Sequence, residues 1–214
     1  MKRILLYVGF IVLLFSCSSN ELQEPEADNF YALTVGNSWV YKWYNVNTDA
    51  SSDFFNGITE SVSIVGTETI NDELYYKFKY IVSGNDAPEN QVFPSNGEYY
   101  KFYRDSLGYL INEMGEITFN THPTEEILAS YQEFQTLITV YGTTNENSVD
   151  FLTEAGAFNC VEMIKRHEWE NGFVNPGMNY SYYSKGVGLI SDDIVFASNN
   201  SSRYQRRLNS YNVQ

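Results

Sequence analysis

Cysteine, histidine and basic residues are scarce in this chain, and each shortage removes a class of function. Two cysteines, Cys17 and Cys160, cannot make a disulfide framework, and no C-x-x-C pair exists for redox or zinc chemistry. The two histidines, His122 and His167, stand far apart and fit no ligand spacing such as H-x-x-x-H, so neither a metal nor a cofactor is expected. Lys and Arg number 13 against 27 Asp and Glu, for a formal net charge of −14. That balance excludes nucleic acid as a partner and disfavours adsorption to an anionic membrane surface. No G-x-S-x-G elbow and no phosphate-cradling glycine loop is present. Neighbouring carboxylates do occur, at Glu125-Glu126, Glu168 and Glu170, and Asp192-Asp193. With so many acids their proximity is expected by chance, Asp192-Asp193 reads as a hairpin turn, and the expectation is a protein that is not an enzyme.

Long apolar runs are also missing, with one exception. Met1-Lys2-Arg3 precedes an unbroken apolar stretch from Ile4 to Phe15. As a helix it would reach roughly 18 Å, short of the ~30 Å hydrocarbon core of a bilayer. Its proportions are those of a signal peptide, residues 1–16. Leu14-Phe15-Ser16-Cys17 follows and resembles a lipobox, with Phe15 bulkier than the small residue usual there. Only a thiol can become the diacylglyceryl thioether, so Cys17 is the expected lipidation site and the link to the membrane. Each buried CH₂ contributes about 0.8 kcal/mol, and two or three acyl chains make release very slow.

Residues 17–29 carry Glu21, Glu24, Glu26 and Asp28 with hardly any apolar content, the composition of a solvated tether. The acidic stretch resembles the surface-export signal of Bacteroidota-type lipoproteins, and a plain linker explains it equally well. Ser18, in place of Asp, resembles the pattern of lipoproteins sent to the outer membrane. The expected location is therefore the outer membrane, lipid-anchored, with periplasmic or surface orientation open.

Residues 30–214 are then one domain, large enough for a real core. Once Cys17 is acylated, Cys160 is the remaining thiol, and burial as an inert small hydrophobe is its expected fate. Tyr and Phe number 18 and 14, and such residues favour half-buried pleated surfaces. Alternation recurs at Trp39–Trp43, Thr59–Ile70 and Leu74–Val82, where Leu74, Tyr76, Phe78, Tyr80 and Val82 share a face. Asn71-Asp72 between the last two segments predicts a tight hairpin turn. A second hairpin is predicted across Asp105-Ser106-Leu107-Gly108, whose first three residues also resemble a Bacteroidota-type O-glycosylation acceptor. Pro123-Thr124-Glu125-Glu126, with Ile127, Leu128, Tyr131 and Phe134 at helical spacing, predicts one short helix. Further strands are read at Thr136–Val140 and at five segments between Asn147 and Tyr211. The expected architecture is mainly β: a single antiparallel, strongly curved meandering sheet of about ten strands, a half-barrel or open barrel, with one short helix.

Three segments resemble, in order, a broad group of uncharacterised Bacteroidota-type envelope lipoproteins. They are Val35-Gly36-Asn37-Ser38-Trp39-Val40-Tyr41, Ala155-Gly156-Ala157-Phe158-Asn159-Cys160, and Tyr182-Tyr183-Ser184-Lys185-Gly186-Val187-Gly188-Leu189. The group is similar in strand pattern to lipoprotein-carrier half-barrels, in which a curved sheet wraps a helix or an apolar ligand. The resemblance implies membership and a fold, and says little about activity.

Binding is the function class that fits. Trp39, Tyr41 and Trp43 lie on one strand face, either as core or as a flat platform for sugar rings. Tyr100 and Tyr182 sit in aromatic clusters that occupy both faces of their strands, so some rings must face a ligand or solvent. These five residues are the candidate ligand-binding set, for an apolar (lipid-like) or a glycan ligand. The alternative is a structural or interaction subunit with an envelope protein partner. Arg203, Arg206 and Arg207, crowded near the end, suit local neutralisation or an anion site. Replacing Cys17 with Ala should move a folded domain from the membrane to the soluble fraction on ultracentrifugation; continued retention in the membrane pellet would contradict the lipid anchor.

Overall fold

The structure is a computed structural model that describes residues 29–47, 53–86, 92–133, 135–195 and 202–214. The expected signal peptide, Cys17 and the expected tether up to residue 28 lie outside the described residues. Thirteen strands follow in chain order: β1 (Ser38–Asn47), β2 (Phe54–Ile70), β3 (Glu73–Ser83), β4 (Gly97–Ser106), β5 (Tyr109–Asn112), β6 (Ile117–Asn120), β7 (Glu125–Glu133), β8 (Thr136–Thr144), β9 (Val149–Thr153), β10 (Gly156–Trp169), β11 (Asn179–Ser184), β12 (Gly188–Val195) and β13 (Ser202–Asn212). All belong to one antiparallel sheet with the order β6-β5-β4-β3-β2-β1-β13-β12-β11-β10-β8-β7, and β9 pairs β10 beside that path.

The topology forces curvature. The first and last strands pair along their length, from Ser38↔Asn212 to Asn47↔Ser202, so the meander has no other ends than β6 and β7. Those two ends are consecutive in the chain and are joined by residues 121–124 alone. At under about 3.6 Å per residue so short a link keeps the two edges within roughly 18 Å, and the sheet curls into a nearly closed barrel. Thr144 completes the join: its hydroxyl donates to the Asn120 side chain at 2.9 Å and its amide to the Thr124 carbonyl at 3.1 Å.

Local chemistry sets the hairpins. Asn71 and Asp72 have φ of 51° and 65°, the pair of positive values that a type I′ turn requires. Leu107 and Gly108 repeat this at 55° and 86° between β4 and β5. On β3, Tyr76, Phe78, Tyr80 and Val82 turn to the barrel interior, as their alternation predicts, while Lys77 and Lys79 face out to Glu68 and Glu98.

Two expectations are corrected. The segment read as a helix is strand β7, and no helix occurs among the described residues. A bulge between Ile127 and Ala129 shifts the register against β8, so buried Leu128 falls off the period of two and mimics helical spacing. The β-branched run of β8 then captures the preceding segment as its partner, overriding the acidic, proline-led start. Asp192-Asp193 is no turn either: both residues sit inside β12, opposite Arg206 and Gln205. Strand β6 is the further element the sequence reading missed, and with β7 it takes the count to thirteen.

The main core lies inside the barrel and includes Trp39, Tyr41, Val62, Ile64, Tyr80, Leu110, Phe119, Met163, Tyr183, Ile190 and Leu208. Residues 29–37 plug one end. Tyr31 donates to the Gly108 carbonyl at 2.6 Å, and buried Asn37 clasps the Ala32 carbonyl and the Gln214 amide. At the other end Trp43, Ile58 and Val82 pack with Phe93 and Tyr204. The β9–β10 hairpin leans across β13 to β1, with Phe158 against Tyr211 and Glu154 bound by Lys42 and Tyr44. Cys160 at its base is fully buried, and burial, aided by the Asp150 charge, pushes its thiol up to about 12.

Two predictions follow from this packing. Gly84 and Gly186 both have positive φ, but a Cβ on Gly84 would lie 2.1 Å from the Gly57 carbonyl oxygen, whereas one on Gly186 meets nothing within 4 Å. Gly186→Ala should cost about 1 kcal/mol of backbone strain, and Gly84→Ala about 3 kcal/mol or more, seen in thermal melts as a clearly larger fall for Gly84→Ala. Because the thiolate is the reactive form, Cys160 should resist thiol reagents at neutral pH in the native protein and react promptly in denaturing guanidinium; rapid native labelling would show that the hairpin does not seal it.

Candidate functional site

The barrel interior is not filled completely. Between the plug and the far end lies a cavity of about 170 Å³, walled by Trp39 and Tyr41 of β1, Phe78 and Tyr80 of β3, Tyr103 of β4 and Tyr183 of β11, among others. Its wall also carries charge: Lys101 of β4, Lys165 of β10, Asp192 of β12 and Arg206 of β13. Burial of so many polar tips in an apolar shell demands partners, and for Trp39 and Tyr41 these are supplied by the backbone, while the Tyr103 hydroxyl pairs with that of Tyr80. Trp39 Nε1 donates to the Val187 carbonyl at 2.7 Å and Tyr41 Oη to the Leu189 carbonyl at 3.0 Å. Burial lifts the Tyr103 hydroxyl to about 12 and raises Tyr41, Tyr80 and Tyr183 further, so all four stay neutral donors.

Arg206 organises the charged layer. Its Nε and Nη2 grip Asp192 at 2.8 and 2.6 Å, and its Nη1 reaches Glu60 Oε2 at 2.6 Å. Glu60 is fully buried, and its other oxygen accepts from Trp43 Nε1 at 2.9 Å. The guanidinium also lies 5.2 Å from the Tyr41 ring centroid. Burial opposes its charge, but the two carboxylates outweigh that and hold Arg206 firmly protonated. This is a satisfied unit, with every strong donor committed.

The lysines differ. Lys165, part-buried, has no hydrogen bond or ion pair to any protein group among the described residues, and loss of hydration lowers its pKa despite Asp192 and Asp193 nearby. His167, two residues on, is lowered by burial and then by the Lys165 charge. Lys101 is exposed at the cavity's rim, 5.3 Å from the Tyr80 ring centroid and in no ion pair among the described residues. The wall is thin beside it, because β5 pairs only with Tyr103–Ser106 and, among the described residues, no strand lies along the Gly97–Phe102 edge of β4 on that side.

The five candidate aromatics divide. Trp39 and Tyr41 line the cavity, and Trp43 lies on the same inward face beyond Arg206. All three are buried, so β1 offers no open platform. Tyr100 is exposed on the outer face of β4, and Tyr182 packs against Phe151 on the outer face of β11. Neither joins the others. The three C-terminal arginines are all engaged by acids of this chain: Arg203 by Asp193, Arg206 as above, and Arg207 by Asp53. His122 sits in the β6–β7 loop on the Leu107 carbonyl, and no group of His, Cys, Asp and Glu among the described residues could hold a metal. The interior lysines were missed because Lys101 and Lys165 look like ordinary surface lysines in a strand; their period-two match to Tyr99, Tyr103 and Met163 was the available signal.

The first and third of the quoted segments meet at this site's closed end. Gly186 N donates to the Phe30 carbonyl, Trp39 binds Val187, and Gly188, at φ 90°, lets the Tyr31 carbonyl pass 3.2 Å from where a Cβ would be. No family model and no curated protein matches the sequence. Among solved structures, the chain is similar to a Bacteroides fragilis protein described as exported and as having a YmcC-like fold, at 11% identity and a TM-score of 0.54, covering 86% of this chain and 99% of that one. A Parabacteroides distasonis protein described as a lipoprotein aligns over the same shares at 16% identity and a TM-score of 0.47. The nearly closed antiparallel sheet built here from thirteen strands is therefore a YmcC-like fold.

Proposed function

We propose that this chain is a non-catalytic envelope lipoprotein, held in the outer membrane through lipid on Cys17, whose barrel receives a small ligand with an apolar body. The observation that carries the reading is the aromatic-walled cavity at the centre of the sheet. Its volume is close to the ~150 Å³ of engineered apolar cavities that hold a single benzene ring. A concave, mostly apolar pocket with a few polar groups is the usual form of a small-molecule site. The leader and Cys17 support the location, and the description of the B. fragilis protein as exported agrees with it. Between the two ligand classes, the inward-turned rings of Trp39 and Tyr41 favour an apolar body over a stacked sugar.

The reading predicts saturable binding of a one-ring probe. With the mature lipoprotein in nanodiscs, 2-phenylethanol should give saturation-transfer NMR signals and perturb Trp fluorescence. Ser181→Phe, which fills the cavity from its wall, should abolish both while circular dichroism stays that of a β protein. Equal binding by wild type and Ser181→Phe, or no binding of any one-ring probe, charged or neutral, by the wild type, would remove the cavity as a ligand site. Recovery of a stoichiometric envelope protein from solubilised membranes would then favour the interaction-subunit reading.

A further inference from the structure

The charged layer of the barrel carries three cations, Lys101, Lys165 and Arg206, against two carboxylates, Glu60 and Asp192. Arg206 takes both carboxylates, one in a bidentate grip. What remains is a pair of ammonium groups on two walls, β4 and β10, neither in an ion pair or hydrogen bond among the described residues, although Asp192 and Asp193 lie near Lys165. They are near enough that the charge of Lys101 helps to lower the pKa of Lys165. For the part-buried Lys165 an unpaired charge is costly, and the like charge of Lys101 at the rim makes it more so. Scarcity of acids does not explain the arrangement, since the chain has 27 of them against 13 basic residues. Elsewhere lysines do find partners: Lys42 holds Glu154, Lys77 holds Glu68, and Lys79 holds Glu98. The two that face the cavity do not.

We propose that the cavity binds a small monocarboxylate, its apolar body among Trp39, Tyr41, Phe78 and Tyr183 and its carboxylate held between Lys101 and Lys165. This rests on the cavity being a ligand site, as proposed above, and names the chemical class. One negative charge brings the layer to neutrality, whereas a dianion such as phosphate would overshoot it. The anion also supplies the acceptors that neither ammonium finds among the described residues. Lys101 stands at the rim beside the unpaired edge of β4, where it meets an entering anion first, and Lys165 lies deeper. The ring-sized volume restricts the body to about one aromatic ring or a short alkyl chain.

The test compares phenylacetate with 2-phenylethanol, which share a body and differ in charge, by titration calorimetry on the mature lipoprotein in nanodiscs. Phenylacetate should bind about tenfold more tightly or better, the scale of a charge-assisted hydrogen bond. Lys165→Met and Lys101→Met should each shrink that preference and the double variant should erase it, because affinity for the acid falls much further than affinity for the alcohol. Thermal melts check folding, and removal of an unpaired internal charge should leave Tm equal or higher. Equal affinity for acid and alcohol in the wild type, or a preference that survives in the double variant, overturns the carboxylate assignment while leaving the cavity a ligand site. Binding of neither probe overturns both. Inorganic phosphate, offered alone, should not compete with phenylacetate; effective competition would mean that the lysines bind anions without regard to the apolar wall.

Discussion

The short link between β6 and β7 is the constraint on which the rest of this structure depends. A meander of antiparallel hairpins could lie open, with one wet face and one dry face. Here β1 and β13 zip together in the middle of the sheet, which leaves consecutive strands at its two edges. Only residues 121–124 connect them. The sheet must therefore curl until its edges meet, and the aromatic face becomes an interior. Closure hides most edge hydrogen-bonding groups, and it also converts a surface stripe such as Trp39, Tyr41 and Trp43 into a wall.

Closing a barrel over so many rings creates an electrostatic problem, and Arg206 resolves most of it. Its guanidinium joins β13 to Glu60 on β2 and Asp192 on β12, so three strands share one charged unit inside the core. The unit is stable only when whole, since loss of one member of a buried ionic cluster strands the others at a cost of about 3–5 kcal/mol. Because Arg206 consumes both carboxylates, the neighbouring lysines are left to the cavity. Structural support and the character of the proposed binding site are thus two sides of the same charge distribution.

Elements whose signal is local were legible in advance. Asn71-Asp72 demanded a tight turn, and the rows on Leu74–Val82 demanded a half-buried strand. Leu74 itself falls at the exposed end of that strand. The segment from Pro123 misled because a bulge at Ile127–Ala129 imitates helical spacing, and only pairing with β8 reveals it. Asp192-Asp193 misled in a different way: two acids in a row look like a turn, until Arg206 and Arg203 arrive from a strand that pairs alongside. For the candidate site, the aromatic face of β1 was visible, and the lysines opposite it were not.

By itself the sequence determined the acidic, aromatic, β-rich character of the domain, the placement of most hairpins, and the signature of a lipid anchor at Cys17. Each of these follows from composition or from contacts within a few residues of the chain. The tertiary structure decided which face of each strand is core, that the sheet closes, and that Lys101, Lys165 and Arg206 meet around one cavity. Those outcomes depend on register between strands far apart in sequence, where a shift of one residue exchanges the two faces. Pairing of β1 with β13 and return of β6 to β7 set that register, and no local pattern encodes either.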